Sequence, residues 1–597
     1  MRNALLAAAL PWLVGLGSAC LQIPAGPSQE CAADADCDTA LGEACSDGVC
    51  YGGPPAGTFA AVVTPPSDRS DLITVELPHF TLPADGDLST LVLATPARIG
   101  GRVEAYCGLP QSCEGTSIAA TIVISRAPLF PGGTGFSTVV TSKDGLPRGS
   151  NSFSVTVPRS TSGDPPYVLS IVPSGNGALP PANGATSAAE QAAPMLLQLA
   201  ALSDIDTGTL VLGSAQSQVI TGSLTDGASH LLQKYRVVAR GRLVAGGPVT
   251  EVSTVYYTAN GQYTITLSDG AIGPISVNAT PYDANVVAPT LSLGGLEPRA
   301  AVRFIAQPAN TGNKVLLTIP IEGLSTGGAV APVAGAHVIV AARFSPMING
   351  TSSATLSVET TTGADGMAHL TLLDGPAFAG LYKLRVIPPT GSLLGTIYDQ
   401  PLALDAVSAV RLPPRVALRG RVLDGGGEAV GKLSVTALAS VHFSWTEPED
   451  AAAFLAGIPA PTALTSDDGS YVIYVDPYVA GVWGHYDLEF DAPSGVSSAS
   501  WVVADVEIPR EANLATVTLP DATVPDSAYF RANLADPGHL RVGGGELRIF
   551  SIASDSSLCD RVPYPPANCV IPAQLLGHAA SNETGALKLA LPRQLPP

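Results

Sequence analysis

Charge is scarce in this chain of 597 residues: 13% are Asp, Glu, Lys or Arg, and aromatic residues make up 6%. Surface helices need a charged outer face, so a predominantly helical protein is excluded on composition. Positive charge is the scarcer sign, with 30 Lys and Arg against 50 Asp and Glu and a net charge of −20. Such a surface repels phosphate backbones, which argues against nucleic acid as a partner. Catalytic metal spacings are missing too. His79, His230, His337, His369, His442, His485, His539 and His578 form no H-E-x-x-H or related pattern, so no metal and no cofactor is expected. Glycine and proline are abundant, 62 and 52, and spread evenly among 46% apolar residues. That mixture predicts many short strands joined by turns.

One phrase recurs five times: an aromatic, alternating apolar residues, then proline. It runs from Phe59 to Pro65, Tyr167 to Pro173, Ile275 to Pro281 (aromatic lost), Tyr382 to Pro388 and Tyr486 to Pro493. The prolines at 65, 173, 281, 388 and 493 are 108, 108, 107 and 105 residues apart. A fixed period of that size predicts tandem copies of one folding unit.

Two further landmarks lie between the phrases. The first is Gly-x-[Val/Leu], at Gly101, Gly222 and Gly420, with a shifted form at Gly323 and a form without glycine at Arg531-Ala532-Asn533-Leu534. The second is Asn-Gly or Asp-Gly leading into an alternating strand, at Asn260-Gly261, Asp365-Gly366 and Asp468-Gly469. Weaker forms run from Gly149 to Val157 and at Thr584-Gly585-Ala586-Leu587. These dipeptides predict tight hairpins between paired strands. Alternation such as Tyr471, Ile473 and Val475 puts one strand face inward. Each unit is then an antiparallel sandwich.

The stretch from Val416 to Pro493 resembles a carboxypeptidase regulatory-like domain, a transthyretin-like seven-stranded sandwich. The resemblance is carried by Leu418-x-Gly420-x-Val422-x-Asp424-Gly425, Val435-x-Ala437, Thr465-x-x-Asp468-Gly469-x-Tyr471 and Tyr486-Asp487-Leu488. The unit with Pro332 to Ala336 and Thr361 to Gly366 is also similar to bacterial immunoglobulin-like repeats. Both resemblances imply a scaffold or binding role and no catalysis.

The amino end reads as an export signal: Arg2, an apolar run from Ala4 to Leu16, then Gly17-Ser18-Ala19-Cys20. Its end resembles the lipobox of bacterial lipoproteins, which implies lipidation of Cys20. Gly17 departs from that pattern and leaves ordinary cleavage after Ala19 open. Eight cysteines remain in local sets: Cys31, Cys37, Cys45 and Cys50; Cys107 and Cys113; Cys559 and Cys569. In an exported chain these read as disulfides, the first four forming a two-bridge knot with three connectivities open. Asp34, Asp36 and Asp38 inside the knot lack the glycine and glutamate of a calcium loop and read as turn residues.

The residues that could suggest chemistry have plainer readings. Gly323-Leu324-Ser325-Thr326-Gly327 matches G-x-S-x-G but has no helix after it, as a nucleophile elbow requires. Glu449 with Asp450, and Asp467 with Asp468, are adjacent and cannot face one another across a bond. They read as a cap and a turn, the first in a short helix from Asp450 to Ala456. Ser187 to Leu202 is interrupted by Pro194 and reads as helix or as loop then strand. Aromatics cluster in the fourth unit: Trp445, Trp483, Trp501, Tyr474 and Tyr478. Some fill the core, while Tyr474 and Trp483 are the candidates for glycan contact.

The sequence therefore predicts an all-β protein, a tandem array of about five antiparallel β-sandwich modules behind a small disulfide knot. Expected divisions are a signal peptide at 1–19, a lipidated tether at 20–30, the knot at 31–52, and modules at 53–174, 175–285, 286–390, 391–495 (carboxypeptidase regulatory-like) and 496–597. If the phrase closes each sandwich as its edge strand, the last module lacks one. Either another segment completes it, the first phrase being the candidate, or the sequence is truncated. Linear stacking gives a stalk on the order of 150 Å, at roughly 30 Å per sandwich. The expected function is a non-catalytic, structural or adhesive outer-membrane lipoprotein, facing the periplasm or the exterior, attached through its lipid and presenting loops to a glycan or surface protein. The alternatives are a carbohydrate-binding component of an uptake system and a secreted hydrolase.

Overall fold

The computed structural model describes residues 31–595, apart from 106–115, 131–132, 134, 143–150, 174–191, 214–217, 226–229, 244–248, 283–286, 298–301, 306–312, 325–327, 345–351, 376–379, 406, 441–459, 480–481, 494–498, 510–515 and 553–572. Strands make up 59% and helix 1%, so the all-β expectation holds. Five sandwiches follow the knot, named I to V here by their opening strands. The expected helix from Asp450 to Ala456 lies outside the described residues, and Met195–Leu199 is a strand.

Sandwich IV shows the plan. One sheet pairs Val416–Leu423 with Ser470–Val475 antiparallel, and with Thr516–Thr518 and Ala522–Thr523 parallel. The other runs Thr462–Leu464, Ser434–Ala439, His485–Asp491, Trp501–Glu507. Between them lies a core that includes Leu418, Val435, Tyr471, Ile473, Tyr486, Leu488 and Phe490. Sandwich I repeats this plan from Ala97–Ala105 to Ile205–Leu212, sandwich II from Val219–Thr225 to Val302–Ile305, and sandwich III from Asn313–Leu324 to Val410–Leu412.

Sandwich V is built from both ends of the chain. Its carboxy-terminal strands are Ser527–Ala535, Glu546–Ile552, Gln574–Ala580 and Ala586–Pro592. The first phrase, Thr58–Thr64, pairs along its whole length with Glu546–Ile552, and Val75–Phe80 lies beyond it. Asp87–Val92 then pairs parallel with Ser527–Ala535, the place filled by Thr516–Thr518 in sandwich IV. Phe59, Ala61, Val63, Leu72 and Leu88 share one core with Phe530, Leu547, Ile549 and Leu589. The chain therefore leaves sandwich V at 93–96, passes through I, II, III and IV, and returns to V through 524–526. This is a closed circuit, and a linear stalk with its ends at opposite poles is not the arrangement.

The role assigned to the recurring phrase is corrected as well. Each copy is an inner strand, flanked on both sides: Tyr167–Pro173 lies between Ala120–Arg126 and Met195–Leu199. The cuts expected after 174, 285, 390 and 495 consequently fall inside sheets. Tyr167–Pro173 pairs with Met195–Leu199 across the first, Ile272–Pro281 with Thr290–Leu296 across the second, Tyr382–Ile387 with Ile397–Pro401 across the third and His485–Asp491 with Trp501–Glu507 across the fourth. Proline at the end of the phrase stops a strand, but another strand of the same sheet follows it.

The landmarks acquire physical reasons. The phrase tyrosines are buried, and each donates its hydroxyl to a backbone carbonyl upstream: Tyr167 to Pro158 at 2.6 Å, Tyr382 to Leu373 at 2.7 Å and Tyr486 to Asp476 at 2.7 Å. This corner bond ties the phrase strand to the end of the preceding one. Gly101, Gly222 and Gly420 each stand opposite an aromatic on the neighbouring strand, namely Phe153, Tyr263 and Tyr471. A Cβ at Gly420 would sit 2.3 Å from the Tyr471 hydroxyl, so the ring needs the space glycine leaves. The second landmark joins strands of opposite sheets rather than a paired hairpin: Ser352–Thr361 and Met367–Asp374, on either side of Gly366, belong to different sheets. Gly261, Gly366, Gly469 and Gly585 have φ between 75° and 77°, and each passes close under the carbonyl of the opening strand. A buried hydroxyl braces this crossover. Thr465 accepts from Leu433 N at 2.9 Å and donates to Val430 O at 3.0 Å, and Thr362 and Ser581 do the same in sandwiches III and V.

Candidate functional site

The knot pairs Cys31 with Cys45 and Cys37 with Cys50. Its acids serve its own backbone: Asp34 accepts from Cys45 N, Asp36 from Ala32 N and Ala33 N, and Asp38 from Ala40 N and Leu41 N. The knot docks on sandwich V. Tyr51 lies parallel to Tyr529, Gly52 N donates to Tyr529 O at 2.9 Å, and buried Glu43 forms an ion pair with Arg593. Arg531 stacks over the Tyr51 ring and Lys588 over that of Tyr529.

Buried ionisable groups gather where one sandwich meets the next. Between III and IV, the Asp476 side chain is 2% exposed and accepts from Arg415 Nε at 2.9 Å, the Tyr398 hydroxyl at 3.3 Å and Thr396 N at 3.4 Å. Tyr398 belongs to a strand of sandwich III but packs into the core of IV. Burial, together with the Asp476 charge, pushes its hydroxyl pKa up. Between V and I, Glu76 accepts from Leu129 N and Gly135 N, both at 3.1 Å, and Phe130 packs 5.5 Å from Phe550.

Between IV and V, His578 lies between two carboxylates. Nδ1 is 3.0 Å from Glu546 Oε1, while Nε2 is 3.2 Å from Asp491 Oδ1 and 2.6 Å from Ala492 O. Both ring nitrogens face acceptors, so the imidazolium is the form that fits. Hydrogen bonds to Asp491 and then Glu546 raise its pKa to about 10 against the burial cost. The bond from His578 holds Glu546 down at about 2. Burial opposes ionisation of Asp491, but bonds from His578 and Ser500 keep its pKa below the usual value. The Glu546 contribution is complete above its unfolded value of 4.5 and fades as pH falls towards about 2. That of His578 is complete below 6.5 and fades as pH rises through about 10. The stabilisation is thus complete between those two unfolded values, and the folded junction keeps its charges from about 2 to about 10.

Other residues singled out in the sequence lie apart from these junctions. Tyr474 is half-buried on the outer face of its sheet, opposite the buried side that holds Tyr471 and Ile473. Trp483 pairs with Tyr478 in a short two-stranded sheet, and its side chain lies outside the described set. Trp501 is buried and stacked on Phe490 with centroids 4.8 Å apart. Asp468 accepts from Ser470 N at 3.0 Å, as a turn residue does. Cys20, Cys107, Cys113, Cys559, Cys569, Ser325, Trp445, Glu449 and Asp450 lie outside the described residues. The junction residues carried no signal in the sequence, because Asp476 and His578 each meet a partner supplied by another sandwich, Tyr398 and Asp491.

No family model and no curated protein matches the chain. Similar solved structures include a streptococcal ancillary pilin, 11% identical over 51% of this chain and 99% of that one, with a TM-score of 0.18. The minor pilin GBS52 of Streptococcus agalactiae is 12% identical over 35% and 96%, with a TM-score of 0.20. The Bacillus anthracis TIE protein is 11% identical over 68% of each chain, with a TM-score of 0.15. At such identities and scores these likenesses carry nothing about function, and the fold rests on the strand pairing itself.

Proposed function

We propose that the chain is an exported, non-catalytic structural or adhesive protein, a closed body of five sandwiches held to a membrane by a lipid on Cys20. The observation that carries this reading is the use made of buried ionisable groups. Asp476 through Tyr398, Glu76 through Leu129 and His578 through Asp491 each fasten one sandwich to the next. Groups committed in this way stiffen a scaffold. The tether enters at the knot, which rests on the sandwich where both chain ends meet. A lipid on Cys20 would therefore present the whole circuit from that one sandwich.

Sandwich IV fits the carboxypeptidase regulatory-like type. The motif residues Gly420, Thr465, Gly469 and Tyr471 are the ones given structural work there by the ring-over-glycine contact, the hydroxyl brace and the crossover turn. Mass spectrometry of the mature amino terminus tests the anchor: diacylglyceryl-modified Cys20 is expected, and an unmodified thiol or an unprocessed signal would reject it. Turnover of a peptide or glycoside by the purified chain, abolished by one His or Asp substitution, would reject the non-catalytic part.

A further inference from the structure

The sheet shared by sandwiches II and III has a basic outer face in a chain of net charge −20. Thr290–Leu296 of II pairs with Ser352–Thr361 of III, so nine strands form one continuous surface. On Tyr235–Arg242 the core takes Tyr235, Val237 and Ala239, and the pleat turns Arg236, Arg240 and Arg242 outward together with Val238, which is buried between them.

Register carries this face across the sheet. Arg236 stands opposite Thr280 and Arg240 opposite Ser276, while Asn278 meets Ser292 with a side-chain bond of 2.7 Å. Thr290 stands opposite Thr355, which stands opposite Arg343. Ser357 leads through Ala341 to Lys383. Two basic groups thus flank a band of hydroxyls and amides, Arg343 four strand spacings and Lys383 five from Tyr235–Arg242, or about 19 and 24 Å.

Two acids on this face are engaged. Arg236 Nη2 donates to both carboxylate oxygens of Glu251, at 2.8 and 3.0 Å, and Glu359 pairs with His337 at 3.3 Å. Arg240, Arg242, Arg343 and Lys383 are exposed and have no ion-pair partner among the described residues.

We propose that this face binds a carboxylate-bearing polysaccharide laid across the strands. The inference rests on the adhesive reading above and names its ligand class. Guanidinium groups match carboxylates in a two-pronged geometry, and the Ser, Thr and Asn band offers donors and acceptors to sugar hydroxyls. A nucleic acid, with a charge every ~1.7 Å of duplex, meets repulsion from the acidic remainder of the chain. A polymer with at most one charge per ring meets far less.

The test uses the full-length protein in affinity electrophoresis through gels containing polygalacturonate, its methyl ester, or single-stranded DNA. Retardation by polygalacturonate at low salt is expected, weaker in the methyl ester and in DNA. The triple variant Arg240→Gln, Arg242→Gln, Arg343→Gln should bind at least about tenfold more weakly, on the loss of charge-assisted hydrogen bonds. Arg102→Gln, on the exposed face of sandwich I, should bind as the parent does. An unchanged melting temperature shows that the triple variant is folded. No retardation of the parent, equal retardation by DNA or by the ester, or full binding by a folded triple variant overturns the inference. Those results leave the scaffold reading to its own tests of lipidation and turnover.

Discussion

Deletion of residues 58–92 should unfold residues 527–592, although more than 400 positions separate the two segments. The deleted segment supplies Phe59, Ala61, Val63, Leu72, Leu82 and Leu88 to the core of sandwich V. At about 1.5–3 kcal/mol for each large apolar side chain, their loss removes on the order of 10 kcal/mol, comparable to the whole stability of a domain. Glu546–Ile552 would also lose its ladder with Thr58–Thr64 and expose a bare edge. Hydrogen exchange read by mass spectrometry should show protection lost throughout 527–592 and kept in sandwiches II and III. A protease-resistant carboxy-terminal unit in the deleted chain, or in residues 525–597 alone, would contradict this.

Replacement of Asp476 by alanine should produce the largest loss of any single substitution at the junctions. It takes the Asp476 carboxylate away from the partly buried Arg415 guanidinium and the buried Tyr398 hydroxyl. Removing one partner of a buried pair costs about 3–5 kcal/mol, because the remaining charge is stranded. The Arg415→Ala, Asp476→Ala double variant should lose less than the sum of the two single losses, since neither group is then stranded. Denaturant midpoints for the three variants check this. A loss below about 1 kcal/mol for Asp476→Ala would mean that water enters the site and replaces the carboxylate, and would contradict the assignment.

The repeat, the strand-rich fold and the knot were legible because they are written locally. Alternation in Tyr471, Ile473 and Val475 reports a half-buried strand wherever it occurs, and Asp468-Gly469 reports a backbone turn. The role of the phrase was harder to read. A proline such as Pro173 ends a strand whether that strand is the last of its sheet or an inner one. The strands that follow the phrase, Met195–Leu199 and Ile397–Pro401 among them, carry no landmark of their own, so the module frame was set two strands early. Junction residues were invisible for a related reason. Asp476 follows a strand and precedes a proline, like many loop acids, and its meaning comes from Tyr398 of the neighbouring module and Arg415 of the segment that links the two.

Closure of the circuit through sandwich V is the claim on which the account turns, and a single distance tests it. Spin labels at His79→Cys and Arg548→Cys would sit on exposed positions of Val75–Phe80 and Glu546–Ile552, with Thr58–Thr64 between those strands. Pulsed dipolar spectroscopy on the full chain should give a narrow distribution near ~20 Å, set by two strand spacings and the label arms. A distribution centred beyond about 60 Å, as an open linear array of sandwiches demands, would contradict it.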